Sequence, residues 1–554
     1  MKKIIKIFAV ILVIAITVGV CGVFASLNGK VKVKIDASVL GDEIENPVSN
    51  VNVWDMGKSF YKVKANENGD PFEFVKYVQL MQCTGGTLDR DLFKNPSDTS
   101  VLDDYDFSRL IKNCKGILKL GAKPHLKLGG VPVKYTTGAE MGGFDMNVYP
   151  PDDYDVYYNY IKAMAEALVK SFGKKEVRKW HFGCMTEYEN SDWFQAKSGD
   201  PKESAEAYCK LYDYTVAALV DVLGEDIFVG AHSMTVTEGL WDESIFIEHI
   251  ANGTNYKTGE KGTPIKFLSA SFYDSKPGEY TSGKTLPETI KYLRSVAEKN
   301  GLNDLVYGVD EGRILSGNSS GSTSDALLNR TCGYTWQAAY DARLYKQCID
   351  NDISYFSSWG YHTGGLLNGY PIISYHVAKN ISEFSGYKKA SVNTGGLKKL
   401  TGVEAECVAA FDEKHNTLRV MLYNFKNDVE YDKSVDFEVS FNVPQFDGEE
   451  VSITVNTVND DCNFFDEWQD DRVKYGITDD KFSWSPDDPC IDSEVTLSDK
   501  DARDTYFAEL RDRYIKYSVL TPSYTDSVVK NSTFKYSTTV GASNVVFLEI
   551  TPKK

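Results

Sequence analysis

WHFGCMTEYEN, residues 180–190, starts as a strand and stops abruptly on acid. Trp180, Phe182 and Met185 give it an apolar body, and only Thr186 separates that body from Glu187, with Glu189 two residues on. Seven more short apolar runs surround it: VNVW (51–54), YVQLMQ (77–82), KPHLKL (123–128), IFVGAH (227–232), FLSASFY (267–273), LVYGVDE (305–311) and YFSSWG (355–360). The longer segments between them carry helical spacing. Phe107, Leu110, Ile111, Cys114 and Leu118 recur in steps of three and four, as do Ile161, Met164, Ala165 and Leu168. Gly121, Gly173 and Gly224 stand where such helices end, because glycine takes a left-handed cap at least cost. Eight strands alternating with eight helices over residues 48–388 read as an α/β fold, a (β/α)8 TIM barrel. A doubly wound open sheet shares the alternation. However, no GxGxxG or P-loop follows an early strand, so nothing supports a nucleotide site.

Beyond the barrel the texture changes. CVAAFDE, TLRVMLYNF, VDFEVSFNV and VSITVNTVN alternate apolar and polar residues between turns, and VVFLEI closes the series. Residues 389–554 read as an antiparallel β-sandwich with a helical insertion at about 461–522. KVKVKID, within residues 26–47, is one further strand able to join it. The acidic pairs of the insertion, Asp460-Asp461, Asp470-Asp471 and Asp487-Asp488, lack the ordered spacing of a calcium loop and read as a solvated face.

Length and charge narrow the function. The chain has 554 residues, 42% hydrophobic and 25% charged, with a formal charge of −18. That charge disfavours nucleic acid and anionic membrane surfaces, both of which require clustered cations. Lys2, Lys3 and Lys6 precede an uncharged apolar run from Ile7 to Ala25. Residues 1–25 are therefore a signal peptide cleaved before Ser26 or an uncleaved anchor, with membrane attachment through residues 4–25 in the second case. Either puts the body of the protein outside the cell, secreted or held at the membrane. Ten cysteines at wide, irregular spacings contain no CxxC pair, so zinc and thioredoxin-like readings have no support. No metal cluster or cofactor motif appears, and oligomeric state is not legible.

Barrel enzymes carry their chemistry where strands end at the C-terminal mouth. Glu187 follows the fourth strand and Glu311 ends the seventh, so closure brings both to one opening. Two carboxylates flanking a glycosidic bond are what its hydrolysis requires, one to protonate the leaving oxygen and one to attack or direct water. Strand alternation would turn Asp310 away from Glu311. Around this pair, Thr186, Asn190, His125, His232, Tyr273 and Trp359 are candidate substrate contacts. Trp359 would stack on a sugar ring or pack in the core, and Tyr273 would hydrogen-bond Glu311 or simply pack. His125 and His232 lie near the ends of strands three and five. Arg90 is either a cation at the mouth or a partner in a loop salt bridge. Glu189 reads as a loop carboxylate.

EVRKWHFGCMTEYENSDWF (176–194) resembles the acid/base segment of family 39 glycoside hydrolases, in which a strand runs into Trp-Asn-Glu-Pro-Asn and then an aromatic pair. Trp180, Phe182, Glu187, Asn190 and Trp193-Phe194 fall in register with it. KPHLKLGGVP (123–132) resembles that family's third strand, and NTVNDDCNFFDEWQDDRV (456–473) its later Asn-aromatic-x-x-Trp segment. The resemblance implies a retaining exo-glycosidase without a cofactor, acting on terminal sugars of an oligosaccharide or polysaccharide, such as β-xylosides or α-L-iduronides. Glu187 would be its acid/base and Glu311 its nucleophile. Departures accompany the match. Thr186 stands in place of the family's asparagine, Tyr188 in place of a proline and Ser271 in place of a histidine. Gln79 and Met81 occupy the places of an arginine and a histidine beside the nucleophile, which removes a cation from Glu311. Two rival readings follow: a catalytically silent carbohydrate-binding surface protein, and an endo-acting exopolysaccharide hydrolase on the same scaffold.

Overall fold

The computed structural model describes residues 30–553 apart from 54–55, 57–69, 71, 82, 235–238, 277–278, 281–283, 315–334, 360–365, 368–369, 396–401, 429, 479–480 and 482–498. Residues 1–25, expected to be a signal peptide or an anchor, therefore lie outside the described residues. Among those described, no helix is long and apolar enough to cross a membrane.

Eight strands pair in parallel and close on themselves: Asn50–Val53, Tyr77–Leu80, Lys123–Leu128, His181–Cys184, Phe228–Ser233, Phe267–Lys276, Val306–Ile314 and Phe356–Trp359. The eighth pairs with the first through Ser358 and Val51, which completes the barrel. Helices follow seven of the strands: Ser108–Lys119, Tyr154–Phe172, Pro201–Leu223, Ser244–Asn252, Leu286–Lys299, Trp336–Asp350 and Ile373–Ser382. The helix expected after the first strand falls on residues outside those described. Local chemistry marks the helix ends. Asp153 and Asp200 accept from the first-turn amides, and Thr285 and Glu288 form a capping box. Gly173 and Gly224 end their helices at φ 84° and 91°, where a side chain would be strained.

Covered by helices outside and filled by side chains inside, the strands are buried on both faces. The barrel interior is unusually polar. Asn50, Asn52, Gln79, His125, Lys127, His232, Ser269 and Asp310 all point into it or support it, and none is more than 2% exposed. Gly183 makes this possible on the fourth strand, since a Cβ there would lie 2.0 Å from His232 Nε2.

The second body is one nine-stranded sheet. The N-terminal strand Lys30–Glu43 lies between Lys388–Gly395, antiparallel to it, and Val435–Asn442, parallel to it. The sheet is therefore mixed, where an antiparallel sandwich was expected. This strand enters from a distant part of the chain, so no hairpin dictates its direction. The parallel register sets Val31, Val33 and Ile35 beside Phe437, Val439 and Phe441 on one buried face. The sheet folds over, because Thr417–Phe425 and Thr533–Val540, far apart in strand order, come into contact. Its other face joins the barrel: Met421, Tyr423, Phe425 and Phe547 belong to the barrel's apolar core. Arg343 on a barrel helix pairs with Glu404 of the sheet at 3.0 Å.

Between Glu450–Val458 and Ser523–Val528 the insertion forms short helices, Phe465–Tyr475 and Lys500–Tyr517, the latter with a π-turn at Tyr506–Leu510. Phe464, Trp468, Tyr506 and Tyr514 seat it on the barrel. Asn463 donates to Thr335 at 3.1 Å, just before the helix that follows strand seven, so the insertion abuts the rim of the mouth. Asp471 is a correction to the solvated-face reading: it is buried and accepts from Arg513 and from Tyr514 at 2.8 Å. Asp487 and Asp488 lie outside the described residues.

Candidate active site

After Cys184 the fourth strand does not run out smoothly. Met185 and Glu187 both adopt left-handed backbone, at φ 64° and 45°. Such a conformation costs a non-glycine residue about 1–2 kcal/mol and persists only where its surroundings hold it. Here the hold comes from both neighbouring strands. Met185 N donates to Leu128 O at 2.5 Å, and Tyr188 N donates to His232 O at 3.2 Å. The reversal brings Asn190 back over Glu187, so that its amide donates to Oε2 at 2.8 Å. Glu187 is 8% exposed. Burial raises its pKa from 4.5 to about 7, and the charge of Glu311 adds to the rise. Hydrogen bonds from Asn190 and Ser271 oppose it, while Asp310 contributes a smaller rise.

The seventh strand also departs from regular geometry. Ala270 pairs with Val309, but Ser271 pairs with Glu311, so Asp310 forms a bulge. Asn52 and Gln79 donate to its carbonyl at 2.7 and 3.1 Å and hold the bulge in place. Two consecutive carboxylates therefore face the lumen, which corrects the expectation that Asp310 points away. Asp310 Oδ2 accepts from Lys127 at 2.8 Å and lies 3.4 Å from His232 Nδ1. Glu311 is 9% exposed; its Oε1 accepts from the Tyr273 hydroxyl at 2.8 Å, and Lys127 Nζ stands 4.0 Å from its Oε2. The cation beside Glu311, not expected with glutamine at position 79, thus comes from strand three.

The remaining candidates divide. Thr186 is buried and turned inward, accepting from Lys127 at 3.0 Å. His125 and His232 are corrections. Both are fully buried, with Nε2 atoms 3.2 Å apart, and His232 Nδ1 lies 2.5 Å from Ser269 Oγ. They pack beneath the carboxylates, out of a ligand's reach, and burial keeps both well below the usual imidazole range. Trp359 pairs with Asn52 in the barrel, but its side chain lies outside the described residues. Glu189 is 1% exposed and acts as a clamp. It accepts from the Ser233 hydroxyl at 2.5 Å and from Met234 N at 2.8 Å, tying the loop after strand four to the end of strand five. Burial, aided by the charge of Glu243, pushes it up to about 8. Trp193 supports the half-exposed ring of Phe144 in a stack with centroids 4.4 Å apart. Among the described residues, no group of three or more His, Cys, Asp or Glu is disposed to hold a metal.

Sequence reasoning missed Lys127 and Asp310. The signal for Lys127 was present, since alternation along KPHLKL puts it on the face of His125, one step nearer the mouth. Asp310 carried no such signal, because a bulge does not show in residue order.

A closed parallel barrel with acids from strands four and seven at one mouth defines a (β/α)8 protein built for chemistry at the C-terminal ends of its strands. The chain belongs to glycosyl hydrolases family 39, whose sequence pattern matches residues 81–470. A β-xylosidase of Caldicellulosiruptor saccharolyticus is 24% identical over 358 residues, 63% of this chain and 65% of that protein. A β-xylosidase of Geobacillus stearothermophilus is 25% identical over 268 residues, 46% of this chain and 48% of that protein. The chain thus spans less than two thirds of the length of either curated relative. The crystal structure of a monomeric β-xylosidase from Caulobacter crescentus CB15 superposes with a TM-score of 0.63 at 13% identity, covering 95% of this chain and all of that one, so the two share a fold.

Proposed function

We propose that the protein is a retaining exo-glycosidase that removes terminal, β-xyloside-like sugars by double displacement. The observation that carries this reading is the pairing of a buried Glu187, whose pKa burial raises to about 7, with Glu311, which accepts from the Tyr273 hydroxyl and has Lys127 Nζ 4.0 Å from its Oε2. Glu187 would protonate the glycosidic oxygen as Glu311 attacks the anomeric carbon, breaking the bond to the leaving group and forming a glycosyl ester. Glu187, now ionised, would take a proton from water, whose oxygen displaces Glu311 and restores the original anomeric configuration. Such chemistry asks for carboxyls about 5–5.5 Å apart, close enough for one charge to move the other's pKa. The matches to β-xylosidases favour a xyloside as substrate. The run from Ile7 to Ala25 favours export, with action outside the cell, secreted or anchored.

The test is turnover of aryl glycosides by the chain from Ser26 onward: β-xyloside, α-arabinoside, β-galactoside, β-glucoside and α-iduronide, with Glu311→Gln alongside. Hydrolysis of β-xyloside with retained configuration, lost in the variant, is expected. Silence across the panel with sugar binding intact would favour the silent binding protein. Cleavage confined to internal bonds of a polysaccharide would favour the endo-acting reading.

A further inference from the structure

Lys127 is 2% exposed, so substrate does not reach it, yet it sits at the centre of the charged part of the lumen. An ammonium has three N–H donors. One goes to Asp310 at 2.8 Å and one to Thr186 at 3.0 Å; Glu311 Oε2 stands 4.0 Å away, beyond a hydrogen bond but well inside Coulombic range. If stability were the only requirement, an apolar pair would serve as well as a buried ion pair. A lysine buried between two acids, one of them at the open mouth, calls for another account.

We propose that Lys127 is a positioning residue for hydrolysis: from strand three it shares its charge between Asp310 and Glu311 and so holds Glu311 as the attacking carboxylate. The proposal rests on the reading of Glu311 as nucleophile. Charge accounting around the lumen favours it. Among the described residues, strands one and two bring the amides of Asn50, Asn52 and Gln79 to the lumen. The other titratable groups facing this cluster among the described residues are His125, Glu187, His232, Tyr273, Asp310 and Tyr355. Both imidazoles are kept neutral by burial, and the charge of Lys127 reinforces this. Tyr355 is held in its neutral form by burial and by Asp310. Lys127 is therefore the cation that these side chains leave to balance Asp310 and Glu311. The bulge matters too: by turning Asp310 inward, it gives the ammonium a fixed anchor on the strand that carries Glu311.

The experiment reads Glu311 directly. In the chain from Ser26 onward, labelled with carboxyl-13C glutamate, the Glu311 resonance is assigned by its loss in Glu311→Gln and titrated by NMR. Lys127→Gln should raise its midpoint by about one to three pH units, and the acid limb of kcat/KM should move with it. Because Lys127→Gln strands Asp310 as a buried unpaired charge, the same comparison is made between Asp310→Asn and Asp310→Asn/Lys127→Gln. The midpoint should again rise when Lys127 is removed. If Lys127 serves only to neutralise Asp310, the midpoint in that second pair stays put, and the proposal is overturned. A shifted midpoint in a chain that hydrolyses no aryl glycoside would instead sink the hydrolase reading and leave the charge coupling standing. An unmoved midpoint in an active enzyme would remove Lys127 from the mechanism without touching Glu187 and Glu311.

Discussion

Glu189 lies two residues from the proposed acid/base, and replacing it with glutamine tests whether the two glutamates have separate jobs. Glu189 is fully enclosed, and both donors at its Oε1, the Ser233 hydroxyl and Met234 N, would find the same acceptor in glutamine. Its carboxyl is raised from 4.5 to about 8, first by burial and then by the charge of Glu243. The sign follows from proton counting. Between pH 4.5 and about 8 the unfolded chain has lost the proton while the folded chain keeps it, so stability falls as pH rises through that window. A shift of this size corresponds to about 5 kcal/mol above pH 8, and to about 3 kcal/mol already at pH 7. Glu189→Gln has no proton to lose. Its melting temperature should match wild type near pH 4.5 and exceed it by a growing margin up to pH 8, while turnover of the aryl glycoside remains. Thermal melts across pH 4.5–8.5 measure this, and the difference between the two proteins cancels other titrating groups such as Glu187. Parallel melting profiles would refute the assignment of Glu189 as a buried, protonated clamp, and loss of turnover with the fold intact would make it part of the chemistry.

Three further outcomes follow from the same geometry. The basic limb of the pH–rate profile should fall near pH 7, where Glu187 gives up its proton, and Glu187→Gln should abolish that limb and slow hydrolysis of substrates with poor leaving groups about 10²–10⁴-fold; rates on a disaccharide and on an activated aryl glycoside distinguish the two effects. Tyr273→Phe removes a hydrogen bond to a carboxylate at 2.8 Å, worth about 1.5–3 kcal/mol to the fold, so chemical denaturation should show a loss of that order, and kcat/KM of the folded variant should drop because Glu311 loses the group that orients it. Gly183→Ala drives a methyl to 2.0 Å from His232 Nε2 and should destabilise the barrel by about 1–3 kcal/mol, read by chemical denaturation.

The barrel was legible because its signal is repeated. Each of the eight apolar runs is short, and a single one could be a buried helix segment; their regular alternation with helical spacing removes the ambiguity. KVKVKID was equally readable, since Val31, Val33 and Ile35 alternate with lysines as a half-buried strand does. Its direction was not. A strand delivered from far away in the chain takes its orientation from the face it completes, and only the pairing with Phe437, Val439 and Phe441 decides that it runs parallel.

At the mouth, the line between what was legible and what was not follows strand parity. Glu187 and Glu311 were singled out from residue order alone, as acids that close apolar runs; the fourth strand stops at Cys184, short of Glu187, whereas the seventh runs on past Glu311 to Ile314. Lys127, Asp310 and the two histidines depend on which way a side chain turns and how deep it sits. His125 and His232 share their faces with mouth-directed residues, but each lies far enough down its strand to be sealed in, and Gly183 opposite leaves the space that His232 fills. Asp310 should have pointed outward, and one bulge, supported by Asn52 and Gln79, turned it inward. Gln79 therefore has a structural task of its own, holding the Asp310 carbonyl. With an uncharged amide at that position, the second strand supports the backbone of the seventh and the third strand brings the cation. The charge beside Glu311 thus comes from the third strand, and its place there depends on the bulge that the first and second strands hold.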